Sequence, residues 1–471
     1  MADYFDDFDE QEDIEVTTLV SRFEEMITSK ESIFFDVYEF EDIIDYYFEK
    51  NNMKQLGMAL KHAFELHPNS EPILLRMAMY YATRNNPEKA IGILKQIDYS
   101  NEEPDVIFTK ASIYSQLKLY TKSIAEYKKL IDNWEYPAEI FLNIAFEYEN
   151  IGNYNKAIIY LKKAIELDAK NDTLLYELGY CYEILNRTEE SIKFFIQYID
   201  TNLYSDVAWF NLAIAYGNMG LYEKAIDAND FVIAINEKFT SAYFNKANSL
   251  MELEKYTEAI EVFHELILID EPDAMTYYYI GECYEKLQDW NQAISYYNQA
   301  LEMDEYLSEA WMGLGEVYEE LENLPKSLLY IQKAVAIEPI NHDFWYILGD
   351  LQLKMGLRDK ALESYQKVSE MNPDNPEIWL DLSEIYSNNH NYELAIQTIQ
   401  SGIEYQKNNI MHVYRLAAYL YKTGKTKEAL LKFESALAVD FSKQNEFFDH
   451  VPELIGNPEL NELIDLYKTN S

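Results

Sequence analysis

Residues that interrupt or cross-link a chain are scarce in this sequence. Its 471 residues include 14 glycines, 12 prolines and two cysteines, which leaves little room for long flexible linkers. The hydrophobic content of 48%, with 15% aromatic residues, is ample for a folded protein. We therefore expect nearly all of the chain to be folded.

Basic residues are also few. Lys and Arg number 39 against 83 Asp and Glu, and the net charge is −44. Because phosphate binding depends on clustered Lys and Arg, this balance argues against nucleic acid or anionic lipid and favours a cationic partner. No apolar run approaches the roughly 18 residues that span a bilayer. Residues 1–15 contain eight acidic residues and no basic one, unlike a secretory signal. We expect a cytoplasmic protein that binds neither membrane nor nucleic acid.

Sequence motifs for catalysis are absent. The chain contains no Gly-rich phosphate loop, HExxH, CxxC or GxSxG. Its seven histidines are scattered, and the closest pair, His62 and His67, is five residues apart and therefore off one helical face. No catalytic pair stands out among so many carboxylates. The sequence predicts no enzyme, no metal site and no cofactor.

A regular period runs through the chain. Four tryptophans stand at positions that differ by multiples of 34, and four glycines repeat the same intervals. These residues are Trp209, Trp311, Trp345 and Trp379, and Gly179, Gly281, Gly315 and Gly349. A fixed period of this length is typical of repeat proteins, which turns the question of function from chemistry toward binding.

Each period predicts one helical hairpin. In residues 138–171, apolar residues recur every three or four positions on either side of Gly152 and Asn153. This pattern is typical of two amphipathic helices with a break between them. Small residues stand where the two helices must approach closely, and large ones fill the gaps around them.

These features resemble the tetratricopeptide repeat, whose pattern carries Trp, Leu, Gly, Tyr, Ala, Phe or Tyr, Ala and Pro in that order. The register continues through ten units of equal length in 104–443, and weaker units fit 37–70 and 71–103, the second of which is one residue shorter. The resemblance implies an all-α, right-handed superhelical solenoid of about twelve tandem hairpins with terminal capping helices. In the unit that begins at Ser308, the corresponding residues are Trp311, Leu314, Gly315, Tyr318, Ser327, Ile331, Ala334 and Pro339. Ser327 and Ile331 depart from the pattern.

The register divides the chain into four segments. Residues 1–15 form an acidic tail, in which the density of like charge predicts disorder. Residues 37–443 contain the repeats. Residues 16–36 and 444–471 carry apolar stripes at helical spacing, and we expect them to form helices that cap the two ends of the array.

The two cysteines, Cys181 and Cys283, stand three units apart at one repeat position. With neighbouring helices about 10 Å apart, this spacing predicts roughly 30 Å between them. That distance is far outside disulfide range. We expect two small core residues with free thiols in a reducing compartment.

In the tetratricopeptide family the first helix of each hairpin lines a concave groove that binds peptides or proteins. Asn143, Asn211 and Asn245 share one groove position, with Glu177 interrupting the series. Asparagine amides donate and accept hydrogen bonds, so a column of them can bind an extended peptide backbone. The repeat domain of O-linked N-acetylglucosamine transferase is similar in this respect. The alternative is that these asparagines are ordinary exposed residues.

Acidic residues take two other groove positions further along the chain. Members of the two rows are seven residues apart, which places them on one helical face. Such rows favour a Lys- or Arg-rich segment, whereas the alternative is a solvated acidic surface. The first acidic row is Glu282, Glu316, Asp350 and Glu384, and the second acidic row is Glu309, Asp343 and Glu377.

The sequence and the resemblance together predict a non-catalytic scaffold or adaptor that binds a peptide or an extended protein segment. Two alternatives stay open. The chain could be an accessory subunit that presents substrates to a separate enzyme, or an anionic mimic that occupies a basic nucleic-acid-binding protein. In the second case the acidic tail, with Tyr4, Phe5 and Phe8, matters more than the groove.

Overall fold

The computed structural model describes residues 6–29, 33–97, 104–375 and 377–468. Within these ranges the chain is α-helical and contains no β-strand. Two compact units can be distinguished: unit 1 is Met1–Asn245, and unit 2 is Lys246–Ser471. None of the described helices is both long and apolar enough to cross a bilayer.

The helices are numbered in chain order. The first fourteen are α1 Asp6–Ser29, α2 Val37–Glu49, α3 Met53–Leu66, α4 Glu71–Thr83, α5 Pro87–Leu94, α6 Pro104–Gln116, α7 Tyr120–Leu130, α8 Pro137–Asn150, α9 Tyr154–Leu167, α10 Asp172–Ile184, α11 Thr188–Ile199, α12 Asp206–Asn218, α13 Tyr222–Ile235 and α14 Thr240–Glu252. The remaining helices are α15 Tyr256–Ile269, α16 Ala274–Lys286, α17 Trp290–Met303, α18 Ser308–Glu320, α19 Leu324–Ile337, α20 His342–Lys354, α21 Arg358–Met371, α22 Ile378–Asn388, α23 Tyr392–Tyr405, α24 Ile410–Lys422, α25 Thr426–Leu437, α26 Asn445–His450 and α27 Pro458–Lys468.

Helices α2 to α25 form twelve hairpins, and in each one the turn between the two helices contains one residue with a left-handed backbone. The spacing of these residues is 34 throughout, except for 33 between Asn85 and Lys118. This regularity confirms the predicted all-α array of about twelve tandem hairpins, including the shorter one. The left-handed residues are Asn51, Asn85, Lys118, Gly152, Asn186, Gly220, Glu254, Gln288, Glu322, Gly356, His390 and Gly424.

The residue after the left-handed position often caps the second helix of the hairpin. Its side-chain oxygen accepts a hydrogen bond from the backbone N–H three residues later, which satisfies a donor that the helix itself cannot use. Several of the chain's many asparagines are therefore explained by local structure. The capping residues of this kind are Asn52, Asn86, Asn153, Asp289, Asn323 and Asn391.

Each of the four periodic tryptophans connects its hairpin to the loop before it. The indole N–H of Trp209 donates to the Leu203 carbonyl oxygen at 2.9 Å, and Trp379 donates to the Pro373 carbonyl oxygen at 2.8 Å. The other two make the same bond to the carbonyl six residues earlier. The tryptophans thus pack and also fix the inter-hairpin loops.

The periodic glycines of unit 2 allow the two helices of a hairpin to touch. A Cβ atom added to Gly315 would lie 2.4 Å from Cγ1 of Ile331, and one added to Gly349 would lie 2.5 Å from Cε1 of Tyr365. The predicted close approach at these positions is therefore present. Cys181 and Cys283 are buried and free, as expected from their spacing.

Apolar residues at both ends pack onto the neighbouring hairpins. Val20 and Phe23 of α1 belong to the buried core that includes α2 and α3, and Phe447 and Leu460 belong to the core around α24 and α25. Helix α1 overlaps the predicted acidic tail, because it includes residues 6–15. Residues 1–5 lie outside the described ranges, and the disorder predicted for the tail stays a prediction.

Candidate functional site

The first acidic row lies on the first helices of four successive hairpins in unit 2. Glu282 on α16 and Glu316 on α18 are half-buried, whereas Asp350 on α20 and Glu384 on α22 are exposed. Glu282 and Glu316 interact electrostatically with each other. The row is therefore driest at α16 and α18 and more solvated further along the chain.

Burial makes ionisation of the drier members unfavourable. It raises the pKa of Glu316 to about 7, an effect strengthened by the neighbouring Glu285 and Glu319 and partly offset by Lys286. Burial also raises the pKa of Glu282, and again Lys286 opposes the shift. A cation beside these carboxylates would restore their ionised form, because an opposite charge lowers a carboxyl pKa.

Tyrosine hydroxyls satisfy several carboxylates of unit 2. Tyr297 donates to Glu285 at 2.6 Å, and Tyr365 donates to Asp350. Burial raises the pKa of Asp350, while this hydrogen bond lowers it. A neutral hydroxyl satisfies one acceptor site but supplies no positive charge.

The second acidic row is less buried than the first. Glu309 is half-buried and accepts a hydrogen bond from Ser308 at 3.1 Å. The Asp343 side chain is 73% exposed and lies 3.0 Å from Nδ1 of His342. Glu377 is exposed and precedes the first residue of α22, so it is not on the same helix as Glu384. The two-turn spacing therefore holds within α18 and α20 but not at α22.

Asp381 was missed by the sequence interpretation. Burial raises its pKa to about 6, and the Tyr346 hydroxyl donates to it at 2.6 Å. Its pKa is raised further by Asp350, Glu377 and Glu384. Asp381 therefore interacts with members of both acidic rows. A signal was present, since Asp381 occupies the repeat position of the asparagine column, five repeats after Asn211.

The asparagine column of unit 1 is partly engaged within the protein. Asn211 is buried, and its amide Nδ2 donates to the Val207 carbonyl oxygen of its own helix at 2.9 Å. Asn143 on α8 and Asn245 on α14 are half-buried. In the hairpin between those of Asn143 and Asn211, this position is Glu177, which is hydrogen-bonded to Glu149 of the preceding hairpin. The column is therefore mixed in chemistry, and peptide binding by its amides stays a prediction.

Arg415 takes the asparagine-column position on α24, at the end of the acidic rows. Arg415 is 7% exposed, and its guanidinium donates to Glu446 of α26 and lies 3.5 Å from an oxygen of Glu384. The last member of the first acidic row thus has a basic neighbour from the chain itself.

Models of the tetratricopeptide repeat match the chain over more than half of its length. The matched residues are 104–133, 138–171, 173–203, 207–228, 238–306, 272–339 and 353–420. The chain belongs to the tetratricopeptide repeat family. Such repeats generally act as protein-interaction scaffolds.

Several solved structures are similar to this tetratricopeptide repeat protein. The APC/C hetero-tetramer Cut9–Hcn1 matches with 12% identity over 81% of this chain and 89% of that chain, with a TM-score of 0.40. YrrB, described as having an unusual peptide-binding site, matches with 23% identity over 39% and 95%, with a TM-score of 0.31. A repeat protein from Parabacteroides merdae matches with 15% identity over 53% and 98%, with a TM-score of 0.43. A search of curated protein sequences finds no match.

Proposed function

We propose that this protein is a non-catalytic scaffold that binds a Lys- or Arg-rich extended segment of another protein along the acidic rows of unit 2. The observation that carries the proposal is the first acidic row on the first helices of four successive hairpins, in which burial raises the pKa of Glu282, Glu316 and Asp350. A basic segment that lies along these helices would pair with them, and the net charge of −44 would steer it there.

The binding mode would be many weak contacts rather than one deep pocket. Each hairpin contributes one or two carboxylates, so the affinity of a long segment would sum over several repeats. A cytoplasmic location, the lack of catalytic activity and the lack of binding to nucleic acid belong to the proposal and stay predictions.

The test compares two triple variants, each of which replaces three carboxyl groups by amides. One is Glu316→Gln, Asp350→Asn and Glu384→Gln together, and the control is Glu302→Gln, Glu363→Gln and Glu404→Gln, which changes exposed residues on second helices. Binding of fluorescent Lys- and Arg-rich peptides is measured by anisotropy. We expect the first variant to weaken binding by about tenfold or more and the control to change it little, because screened distant charges contribute weakly.

A third protein lacks residues 1–15 and separates the alternatives. If the peptides bind through the acidic tail, this deletion removes binding and the first triple variant does not, which would favour the anionic mimic. Equal binding by both triple variants and by wild type would contradict the proposal.

A further inference from the structure

A cavity of about 480 Å³ opens in unit 1 between the first helices α10 and α12 and the second helix α11. The buried Ser191 helps to keep this space open, because its side chain is small. In unit 2 the atoms nearest to a Cβ at Gly315 or Gly349 belong to the second helix of the hairpin. At Gly179 they belong instead to Asn211 of the next hairpin. The packing around Gly179 in unit 1 therefore differs from the packing around Gly315 and Gly349 in unit 2.

The charged residues in the wall of this cavity are both acidic. Glu177 and Glu183 line it, and none of its lining residues is Lys, Arg or His. Behind Glu177 lies Glu149, whose pKa burial raises to about 7, and each carboxyl is hydrogen-bonded to the other. The Cys181 thiol adds a weak hydrogen bond to Glu149 at 3.4 Å. Two half-buried carboxyls this close together repel each other when both are ionised, and a nearby cation would relieve that repulsion.

Aromatic rings stand at the rim. Tyr176 and Tyr180 line the cavity and are 42% and 47% exposed, so part of each ring is accessible. Tyrosine rings attract cations through their faces, and Lys326 beside Tyr318, at 4.6 Å, is an example within this chain. The hydroxyl of Tyr182, another lining residue that is 1% exposed, has no hydrogen-bond partner among the described residues.

A matching cavity of about 300 Å³ occurs in unit 2, and seven of its lining residues stand five repeats after lining residues of the first cavity. Where unit 1 has Thr188, unit 2 has Arg358. Where unit 1 has Asn211, unit 2 has Asp381. The lining of the unit 2 cavity thus includes an arginine of the chain itself, and the lining of the larger cavity of unit 1 does not.

We propose that the cavity of unit 1 binds one lysine or arginine side chain of a partner protein. Its ammonium or guanidinium group would face Glu177 and Glu183, its aliphatic stem would lie along Tyr180 and Ile214, and Asn211 Oδ1 would offer a further acceptor. The source of this side chain, a basic partner segment, rests on the proposed function. The site itself does not involve the acidic rows of unit 2.

Small probes test the site without a peptide. Full-length protein with ¹³C-labelled isoleucine methyl groups is titrated with Nα-acetyl-lysine amide, Nα-acetyl-arginine amide or the uncharged Nα-acetyl-norleucine amide. The methyl signal of Ile214, which lines the cavity, is followed. We expect saturable shifts with the two basic probes, with dissociation constants on the order of 1 mM. The norleucine probe should bind about fivefold or more weakly, because it lacks the charge.

Two variants report on the cavity itself. Thr188→Arg introduces the residue that unit 2 has at this position and should abolish the shifts by filling the space, while Glu177→Gln with Glu183→Gln should weaken them. The control, Glu166→Gln with Glu223→Gln, removes two exposed charges from the second helices α9 and α13 and should leave them unchanged. Thermal unfolding by circular dichroism verifies that each variant is folded.

Equal shifts with the norleucine probe, no saturable shift, or full binding by both cavity variants would overturn this proposal. None of these results would affect peptide binding by unit 2. Conversely, the triple variant of unit 2 could bind peptides normally while the basic probes still bind at Ile214. That result would contradict the proposed function and support the binding site in the cavity of unit 1.

Discussion

At the residue scale, the glycines of the repeat have two different roles. Gly315 is buried, and an added Cβ would lie 2.4 Å from a side-chain atom and 3.3 Å from a backbone atom of Ile331. Gly217, in helix α12, has no such neighbour within 4 Å of an added Cβ. The same substitution should therefore have opposite effects at the two sites.

We predict that Gly315→Ala lowers the free energy of unfolding by about 1–3 kcal/mol, because the packed helices must separate. Gly217→Ala should leave it unchanged or raise it by up to about 1 kcal/mol, because alanine favours helix. Urea unfolding followed by circular dichroism measures both. A stabilised Gly315→Ala would show that the hairpin yields more easily than its packing indicates.

A second prediction at this scale concerns pH. The pKa of Glu316 is about 7 in the folded protein against 4.5 for an ordinary glutamate, because burial and the neighbouring Glu285, Glu319 and Glu282 raise it while Lys286 only partly offsets them. A carboxyl whose pKa is raised by folding favours the folded state below its unfolded pKa, and this contribution is lost as the pH rises toward 7.

We therefore expect the melting temperature to fall between pH 5 and pH 8, and Glu316→Gln to reduce the fall by removing one titrating group. The variant should gain about 1–2 kcal/mol at pH 8 and little at pH 5. Scanning calorimetry at several pH values measures this. Parallel pH profiles for wild type and variant would contradict it.

Individual positions were predictable from the sequence to different degrees. The tryptophans, small residues and free cysteines follow from the regular period alone, because the period fixes which residues face a neighbouring helix. The contact between Glu149 and Glu177 does not follow from the period, because it depends on how two side chains at different repeat positions meet across adjacent hairpins. Asp381 could have been found by following the asparagine column into unit 2.

At the element scale, helix α26 is fixed to α24 by a buried ion pair. Arg415 and Glu446 are 7% and 9% exposed, and His450 also lies 3.7 Å from Glu446. A second link, between Lys422 and Glu453, is more exposed. Both pairs link α24 to residues that follow α25, but Glu446 is on α26 and Glu453 lies three residues beyond its end, and the two pairs differ in burial.

We predict that Glu446→Gln lowers the stability of unit 2 by about 3 kcal/mol or more, because it leaves the buried Arg415 without its main counter-charge. Glu453→Gln, the matched control, should cost less than about 1 kcal/mol. Hydrogen exchange of α26 and urea unfolding report on both. Similar effects from the two substitutions would mean that burial does not set the strength of these links.

At the scale of the whole molecule, the number and order of the hairpins were predictable, because a periodic sequence determines contacts between neighbours along the chain. The left-handed residues Asn85 and Lys118 are 33 residues apart, which matches the one unit predicted to be a residue shorter. The chemistry of the surface was only partly predictable. Glu377 lies at a helix boundary that periodicity does not locate, and the state of Glu316 depends on how much water its neighbours exclude.

The left-handed turn residues also bear on how such a chain can change in length during evolution. Each turn has nearly the same backbone geometry, with φ between 51° and 80°. A gene that loses or duplicates the codons between two of these turns therefore rejoins the chain at an equivalent point, with the helical register intact. An insertion of any other size must be absorbed by a loop. Whole hairpins are thus the natural step by which this protein could gain or lose binding surface.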